Sequence, residues 1–558
     1  MEQDPSIIAE LAPPAAEGLS EKKSHVWLLL TLATVFLLAL PSLRYPIGRD
    51  QATHCVIATG LLKGKQMYRD LWDNRPPGIY YLYMPLVSIF GRVMWMIGVV
   101  DVLYLVVIGF FIFRFTKRYL GAPAGLMAAV LYTLWHEHGD YESAAQPETF
   151  IVLLVFIADY LLMRKDRGTV LRHAAAGVLF GAVFWIKYNA GLFLVPGFFL
   201  PYLDTTRLDA KPWRLSLTLP WKTWFKRVAV LSAGFMATVV LPLGYFWLNG
   251  VWRAFVQVQL VVLPRYAAMI LERKPEYGVW ALSTISINLR PWVEASVAIA
   301  LAVAWWRREL GRLAPIFLLA LTGFLVTTSQ LRFNSYYFET CLPFVAMICA
   351  YVPVALWAEF RVFSTKLRRR KMTLARVLLW VAFANIVYFP LPRLALTWIQ
   401  QAQGFFAWVH NPEQSYEHYW WPEKVEHLRS QLRVIRYIKT YAGANDQIFV
   451  WGTAPLIYYL ADKEPPNRFV TNLALISAWG PESWRQELVR DLEHSPPRFI
   501  IVARHDAIYG ITYTPLDSAQ YLREYPGLAR ILQDDYQEVR PGRNFLIYRL
   551  RPAGRASS

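Results

Sequence analysis

RDQATHCVIATGLLKGKQMYRDLWDNRPPGIYY, residues 49–81, is the stretch on which the reading of this chain turns. It follows the first long apolar run, residues 25–43. It holds an early acid, Asp50, then an amphipathic run, then a charged cluster of Lys63, Lys65, Arg69, Asp70, Asp73 and Arg75, and then Pro76-Pro77. Connectors in compact domains are usually shorter and plainer than this. Loops carried on a rigid scaffold are where chemistry concentrates. The surroundings decide what this loop faces.

Those surroundings are apolar. The chain is 55% hydrophobic and only 18% charged, where a soluble domain carries about 25% charged residues. Several runs approach the roughly 20 residues that span a bilayer. The composition predicts an all-α polytopic membrane protein with about eleven spans: residues 25–43, 93–115, 120–135, 148–163, 171–187, 189–203, 228–249, 284–306, 313–328, 335–359 and 373–391. Residues 77–90, with their tyrosines and Pro85, read as a short interfacial or re-entrant helix. The first run is long and lacks a small-x-small cleavage site, so it reads as an uncleaved membrane helix. Cys55, Cys341 and Cys349 form neither a disulfide framework nor a zinc signature.

The net charge of +18 is then a matter of topology and gives no sign of a nucleic-acid partner. Basic residues collect in cytoplasmic loops. Lys22/Lys23, Arg114/Lys117/Arg118, Lys165/Arg167/Arg172, Arg207/Lys211/Arg214, Arg307/Arg308/Arg312 and Arg361/Lys366/Arg368 alternate along the chain with a second set of loops. The second set is therefore external: residues 49–81, 135–148, 187–189, 249–290 and 327–337. An odd number of spans puts the C-terminus outside as well. Residues 1–24 read as a cytoplasmic tail, 25–391 as the membrane core and 392–422 as a linker rich in Trp and Gln. Residues 423–558 read as a small external α/β domain. In that domain 423–441 and 481–495 have helical character, while 446–451, 498–503 and 544–550 read as strands.

The external loops hold the unusual polar residues. Asp50 fits two roles, an N-cap for the helix that follows and a general base at the membrane surface. Glu148, just after Pro147, suits the first turn of a helix and equally a cavity-facing acid. Lys187 interrupts an apolar run on the side poor in basic residues, where it either snorkels or meets a lipid phosphate. Arg332, with Tyr336 and Tyr337 nearby, is a second cation of this kind, and the two could flank one phosphate. Asp70, Arg75, Glu148 and Arg265 are assigned to the cavity for donor and acceptor. His136, His138, Asp140 and Glu142 are metal-ligand types, but their spacing matches no metal motif. No cofactor is expected, with a divalent metal near His136, His138 and Asp140 as the alternative.

The order of these features resembles the GT-C glycosyltransferases, in the bacterial branch related to protein O-mannosyltransferases and lipid A aminoarabinose transferases. The resemblance rests on Asp50, on Gly64 to Asp70 as G-x-x-x-Y-x-D, and on Pro76-Pro77-Gly78. It continues through Gln146-Pro147-Glu148, Ile186-Lys187-Tyr188 and Arg332 to Pro343, and covers residues 25–360. It implies a multi-pass cell-membrane enzyme that moves a sugar from a polyprenyl-phosphate donor to an external acceptor by one inverting displacement. It also implies that Asp50 is the catalytic acid of the first loop, with Lys187, Arg332, Tyr336 and Tyr337 at the donor phosphate. Gln51 departs from the Glu common in the mannosyltransferases, so a protein Ser or Thr acceptor does not follow. The alternatives are a polysaccharide ligase or polymerase with a pyrophosphate-linked donor, and a flippase or transporter. A transporter would place its polar residues near the midplane.

Overall fold

Apolar helices dominate the computed structural model, which describes residues 21–164, 168–203, 220–273, 276–289, 291–307, 309–357, 374–388, 390–419 and 426–552. Six helices among the described residues are long and apolar enough to cross a membrane: Lys23–Arg44, Met96–Leu120, Thr169–Ile186, Trp221–Leu248, Trp252–Glu272 and Leu310–Thr328. Shorter apolar helices cover Gly78–Phe90, Val293–Trp305 and Leu342–Trp357. The chain is thus a helical, multi-pass type of membrane protein with a small C-terminal sheet, as its composition predicts. The basic residues Lys165, Arg167, Arg207, Lys211, Arg214, Arg308, Arg361, Lys366 and Arg368 lie outside the described residues, as do residues 1–20 and 420–425 of the expected tail, linker and C-terminal domain.

Three expectations change. Within residues 249–290, read as an external loop, the helices Trp252–Val256, Gln257–Val262, Leu263–Arg273 and Tyr277–Leu289 form, and Trp252–Glu272 is itself among the six long apolar helices. Arg253 and Arg265 interrupt its apolar pattern and hide the period. The run 189–203 is broken into 3₁₀ and α pieces, Tyr188–Phe193, Leu194–Phe199 and Leu200–Tyr202, with Pro196 and Pro201 in it. The expected linker is largely helix, Pro390–His410 followed by Pro412–Glu417. Its glutamines and tryptophans are good enough helix formers for packing to decide.

The chain divides into two compact units. The first comprises Met1–Leu43, Val99–Val239 and Gly278–Phe405. Within it, Thr169–Ile186 crosses the N-terminal part of Trp221–Leu248 at paired glycines. A Cβ on Gly177 would collide with the Leu231 carbonyl oxygen, and one on Gly234 with that of Ala174. Small residues let membrane helices approach this closely. Trp185 Nε1 donates to the Thr238 carbonyl at 2.9 Å and fixes the register.

The second unit comprises Arg44–Gly98, Val240–Tyr277 and Phe406–Ser558. Its sheet has the order β1-β2-β4-β3, with β1 Ile448–Trp451, β2 Phe499–Ala503, β3 Tyr536–Arg540 and β4 Phe545–Leu550. β1 and β2 are parallel and wholly buried, which is why they read as unbroken apolar runs. β3 was not expected. Its sequence, YQEVR, is largely polar and exposed, and it forms as the antiparallel edge partner of β4. The helices Leu428–Tyr441 and Glu482–His494 match the expected ones.

Residues 49–81 belong to this second unit and pack on its sheet domain. The Trp72 amide donates to the Arg468 carbonyl at 2.8 Å. Arg468 Nη1 returns a bond to the Tyr68 carbonyl at 2.9 Å and pairs in two places with Glu487, at 2.7 and 2.8 Å. Its guanidinium lies 5.0 and 4.9 Å from the rings of Phe469 and Trp484. Lys63 and Lys65 both pair with Glu464, at 2.5 and 2.6 Å. Arg468→Ala strands the Tyr68 carbonyl and Glu487, and is expected to destabilise this unit by about 2 kcal/mol or more. Arg468→Lys restores little, since an ammonium cannot reproduce the two-pronged, stacked geometry. Proteolytic cutting within residues 62–76, followed with purified protein, checks this; equal resistance of Arg468→Ala and the parent would refute it.

Candidate active site

Arg49–Leu62 forms a helix after Gly48, and Asp50 sits in its first turn. Gly48 is the N-cap, and no side chain caps the helix. Asp50 is therefore two residues too far in for the capping role read from the sequence, although an acid there still favours the helix dipole. Its carboxylate is held instead by Arg75, with Nη2 2.7 Å from Oδ2. Arg49 Nε lies 3.7 Å from the other oxygen. Arg75 also reaches Asp73 at 3.0 Å. The turn that presents Arg75 is pinned by its own carbonyl, which accepts from Tyr68 Oη at 3.0 Å and Gln259 Nε2 at 3.2 Å.

Burial pushes the Asp50 carboxyl up, but attraction to Arg75 and Arg49 overrides it and leaves the group well below the usual carboxylate range. Asp50 is thus ionised at any physiological pH. One turn on, His54 is fully buried. Burial and the Arg75 charge push it down to about 3, against the pull of Asp50, so it is neutral. Its ring meets Tyr80 and Tyr83 edge-on, with centroids 5.6 and 5.0 Å away.

A second polar group lies in the first unit. Lys187, at the end of Thr169–Ile186, makes an ion pair with the buried Glu148 in the first turn of Pro147–Met163. The Lys187 ammonium also lies 3.9 Å from the centre of the Tyr337 ring, a cation–π contact. Tyr336 packs against Tyr337 with ring centroids 4.8 Å apart. Lys187, Glu148, Tyr336 and Tyr337 are thus brought together. Arg332 is buried in the segment between Leu310–Thr328 and the 3₁₀ turn Ser335–Thr340 that carries both tyrosines.

The remaining candidates lie elsewhere. Asp70 accepts both guanidinium N–H bonds of Arg69 at 2.8 Å and the Gln66 amide at 2.8 Å, and so stabilises a turn. Those bonds hold its carboxyl below the usual range, with Arg69 the main cause. Arg265 donates to the Ala478 carbonyl at 3.4 Å. The metal-ligand types diverge: His136 bonds Asp101, His138 bonds Thr397 and Asp140 bonds Gln401. Among the described residues no group of three or more His, Cys, Asp or Glu could hold a metal ion. The sequence reading missed Asp101 and Glu339, which flank His136. An acid inside the apolar run Met96–Leu120 was the available signal for Asp101.

Residues 74–236 match the family model for dolichyl-phosphate-mannose-protein mannosyltransferases. The fold matches ArnT from Cupriavidus metallidurans bound to undecaprenyl phosphate, with a TM-score of 0.53 over 94% of this chain and 97% of that one, at 13% identity. The chain has the GT-C fold. The apo state of the same ArnT gives a TM-score of 0.50 at 12% identity, over 94% of this chain and 98% of the other. No curated protein matches the chain. The motif resemblance is borne out at the level of the fold, and residues 74–236 carry the match to the mannosyltransferase family model. The family match begins one residue before Arg75, so Asp50 itself lies upstream of it.

The folded Asp50 lies below its ordinary value of 3.8. The stability contributed by its pairing is therefore present above that value and is lost as pH falls below it. In Arg75→Gln the main counterweight to burial is gone and the Asp50 carboxyl rises. Loss of structure on acidification, followed by circular dichroism in detergent, should begin at higher pH in Arg75→Gln than in the parent; coincident acid transitions would count against the pairing.

Proposed function

We propose that this chain transfers a sugar from a polyprenyl-phosphate donor to an acceptor hydroxyl or amine, with Asp50 as the carboxylate that takes the acceptor's proton. The observation that carries the reading is the Asp50–Arg75 pair at 2.7 Å, an ionised acid on a helix N-terminus beside a guanidinium from the same stretch. The GT-C fold and the bound undecaprenyl phosphate of ArnT support the donor class.

The chemistry is one displacement. The acceptor attacks the anomeric carbon, the bond from that carbon to the phosphate oxygen breaks, and the carrier leaves as its phosphate. The configuration inverts, and the proton passes from the acceptor to Asp50. A carboxylate paired as tightly as Asp50 is a weak base. Arg75 supplies the remedy, because a guanidinium has five N–H donors and grips phosphate in two places. Sharing Arg75 with the donor phosphate weakens its hold on Asp50 and raises the basicity of Asp50 at the time it is needed. Within the first unit, Lys187 and Arg332, with Tyr336 and Tyr337, are proposed as phosphate-binding groups. Lys187 is balanced by Glu148, so phosphate must compete with Glu148 for the ammonium. Asp70 and Arg265 are proposed to border the acceptor path.

Asp50→Asn keeps the shape and removes the basicity. Turnover should fall by about 10²–10⁴-fold, the usual loss for a general base, while the protein still expresses and binds polyprenyl phosphate. Near-parental transfer by purified Asp50→Asn would sink the assignment.

The cell membrane is the proposed location, with the N-terminus cytoplasmic and both residues 49–81 and the C-terminal domain external. Single cysteines at Arg69 and Asp462, whose side chains are 50% and 64% exposed, replace the buried native ones in the test. Both should react with an impermeant thiol reagent in intact cells. Protection of both until the cells are opened would reverse the orientation.

A further inference from the structure

Behind the tyrosine turn of the first unit lies a chain of buried polar groups that the proposed chemistry does not use. His136 Nε2 is 2.9 Å from Asp101 Oδ1, and His136 Nδ1 is 3.2 Å from Glu339 Oε2. Tyr132 Oη donates to the same Glu339 oxygen at 2.8 Å, and the Tyr104 and Tyr132 hydroxyls are 2.6 Å apart. None of the His136, Asp101 and Glu339 side chains is more than 2% exposed. The groups come from three elements: Met96–Leu120, Ala122–His138 and the turn Ser335–Thr340.

Burying two carboxylates and an imidazole carries a large desolvation cost, and well-packed apolar residues often stabilise a core as much or more. Such a cluster contributes most through fixing one arrangement of the chain. Here the element fixed is a 3₁₀ turn, whose own hydrogen bonds have poor geometry. Glu339 is two residues beyond Tyr337 in that turn. On the other side of the turn, Thr327 Oγ1 and Thr340 Oγ1 donate to the Tyr337 carbonyl at 2.8 and 3.0 Å. Tyr337 is thereby held from both sides, with its ring 3.9 Å from the Lys187 ammonium.

We infer that Glu339 is a positioning residue: tied to Tyr132, His136 and Asp101, it sets the Ser335–Thr340 turn so that Tyr337 holds Lys187 in the orientation that meets the donor's phosphate. The inference rests on the proposed role of Lys187. It makes Tyr132 and Glu339 determinants of donor affinity although neither touches the donor.

The test uses the full chain in detergent with undecaprenyl phosphate as probe. Tyr132→Phe removes only the hydroxyl given to Glu339, and Glu339→Gln keeps the shape without the charge. Each should weaken probe binding by about tenfold, as loss of a hydrogen bond to a charged group implies. Turnover at saturating donor should change by less than about twofold, so the effect falls on KM and spares kcat. Tyr132→Phe combined with Lys187→Met should bind no worse than Lys187→Met alone, because the two act through one contact. Fully additive losses would overturn the inference, and so would parental binding by Tyr132→Phe alongside weak binding by Lys187→Met, an outcome that leaves the role of Lys187 standing. Parental binding by Lys187→Met removes that role and the inference with it. Failure of both single-site variants to fold, read by size-exclusion chromatography, assigns the cluster to stability alone and likewise overturns the inference.

Discussion

The ion pair between Arg75 and Asp50 is the constraint around which the second unit is arranged. A carboxylate sunk among apolar side chains needs a cation, and here the cation comes from 25 residues further along the same stretch. The chain must double back to deliver it. That return explains the turn over Gln66–Asp70, the Tyr68 and Gln259 bonds to the Arg75 carbonyl, and the rigid Pro76-Pro77 that precedes the next helix. It also draws Trp72 onto the sheet domain, where the residue stacks on Trp479 and meets Trp484 edge-on. The sheet domain thus forms part of the scaffold for the loop.

The same rule operates separately in the first unit. Glu148 is fully buried and answered by Lys187, and the acids Asp101 and Glu339 are answered by His136 and Tyr132. Ionisable groups within apolar surroundings are costly and usually belong to function. The two clusters divide the work in different ways. Lys187 and Glu148 sit at helix ends, where a ligand can compete for them, whereas Asp101, His136 and Glu339 are closed off and can act only on the geometry of their neighbours.

Chemically, the arrangement around Asp50 joins two demands that conflict in an isolated side chain. Ionisation at neutral pH requires a low pKa, and proton abstraction works best with a pKa near the working pH. In the proposed reaction, a guanidinium shared between the acid and an incoming phosphate would meet both demands. The proposed proton step uses Asp50 and Arg75.

The sequence by itself determined the class of the protein. Long apolar runs with few charges dictate membrane helices, since backbone polar groups in lipid must be satisfied within the segment. Local pattern likewise marked β1 and β2, which are wholly buried, and β4, whose burial alternates, and the motif order from Asp50 to Pro343 pointed to the GT-C fold. Tertiary structure alone decided the partners. Asp50 could read as a cap or a base until Arg75 folds back to it, and His136 reads as a loop residue until Asp101 and Glu339, 35 and 203 residues away in sequence, close around it. It also turned residues 252–272 and 390–410 into helices, where scattered arginines and glutamines had hidden the period. β3 exists only because β4 offers an edge. Periodicity reports what a segment does with its own neighbours; charge pairing and edge strands depend on groups that meet only after the chain has closed.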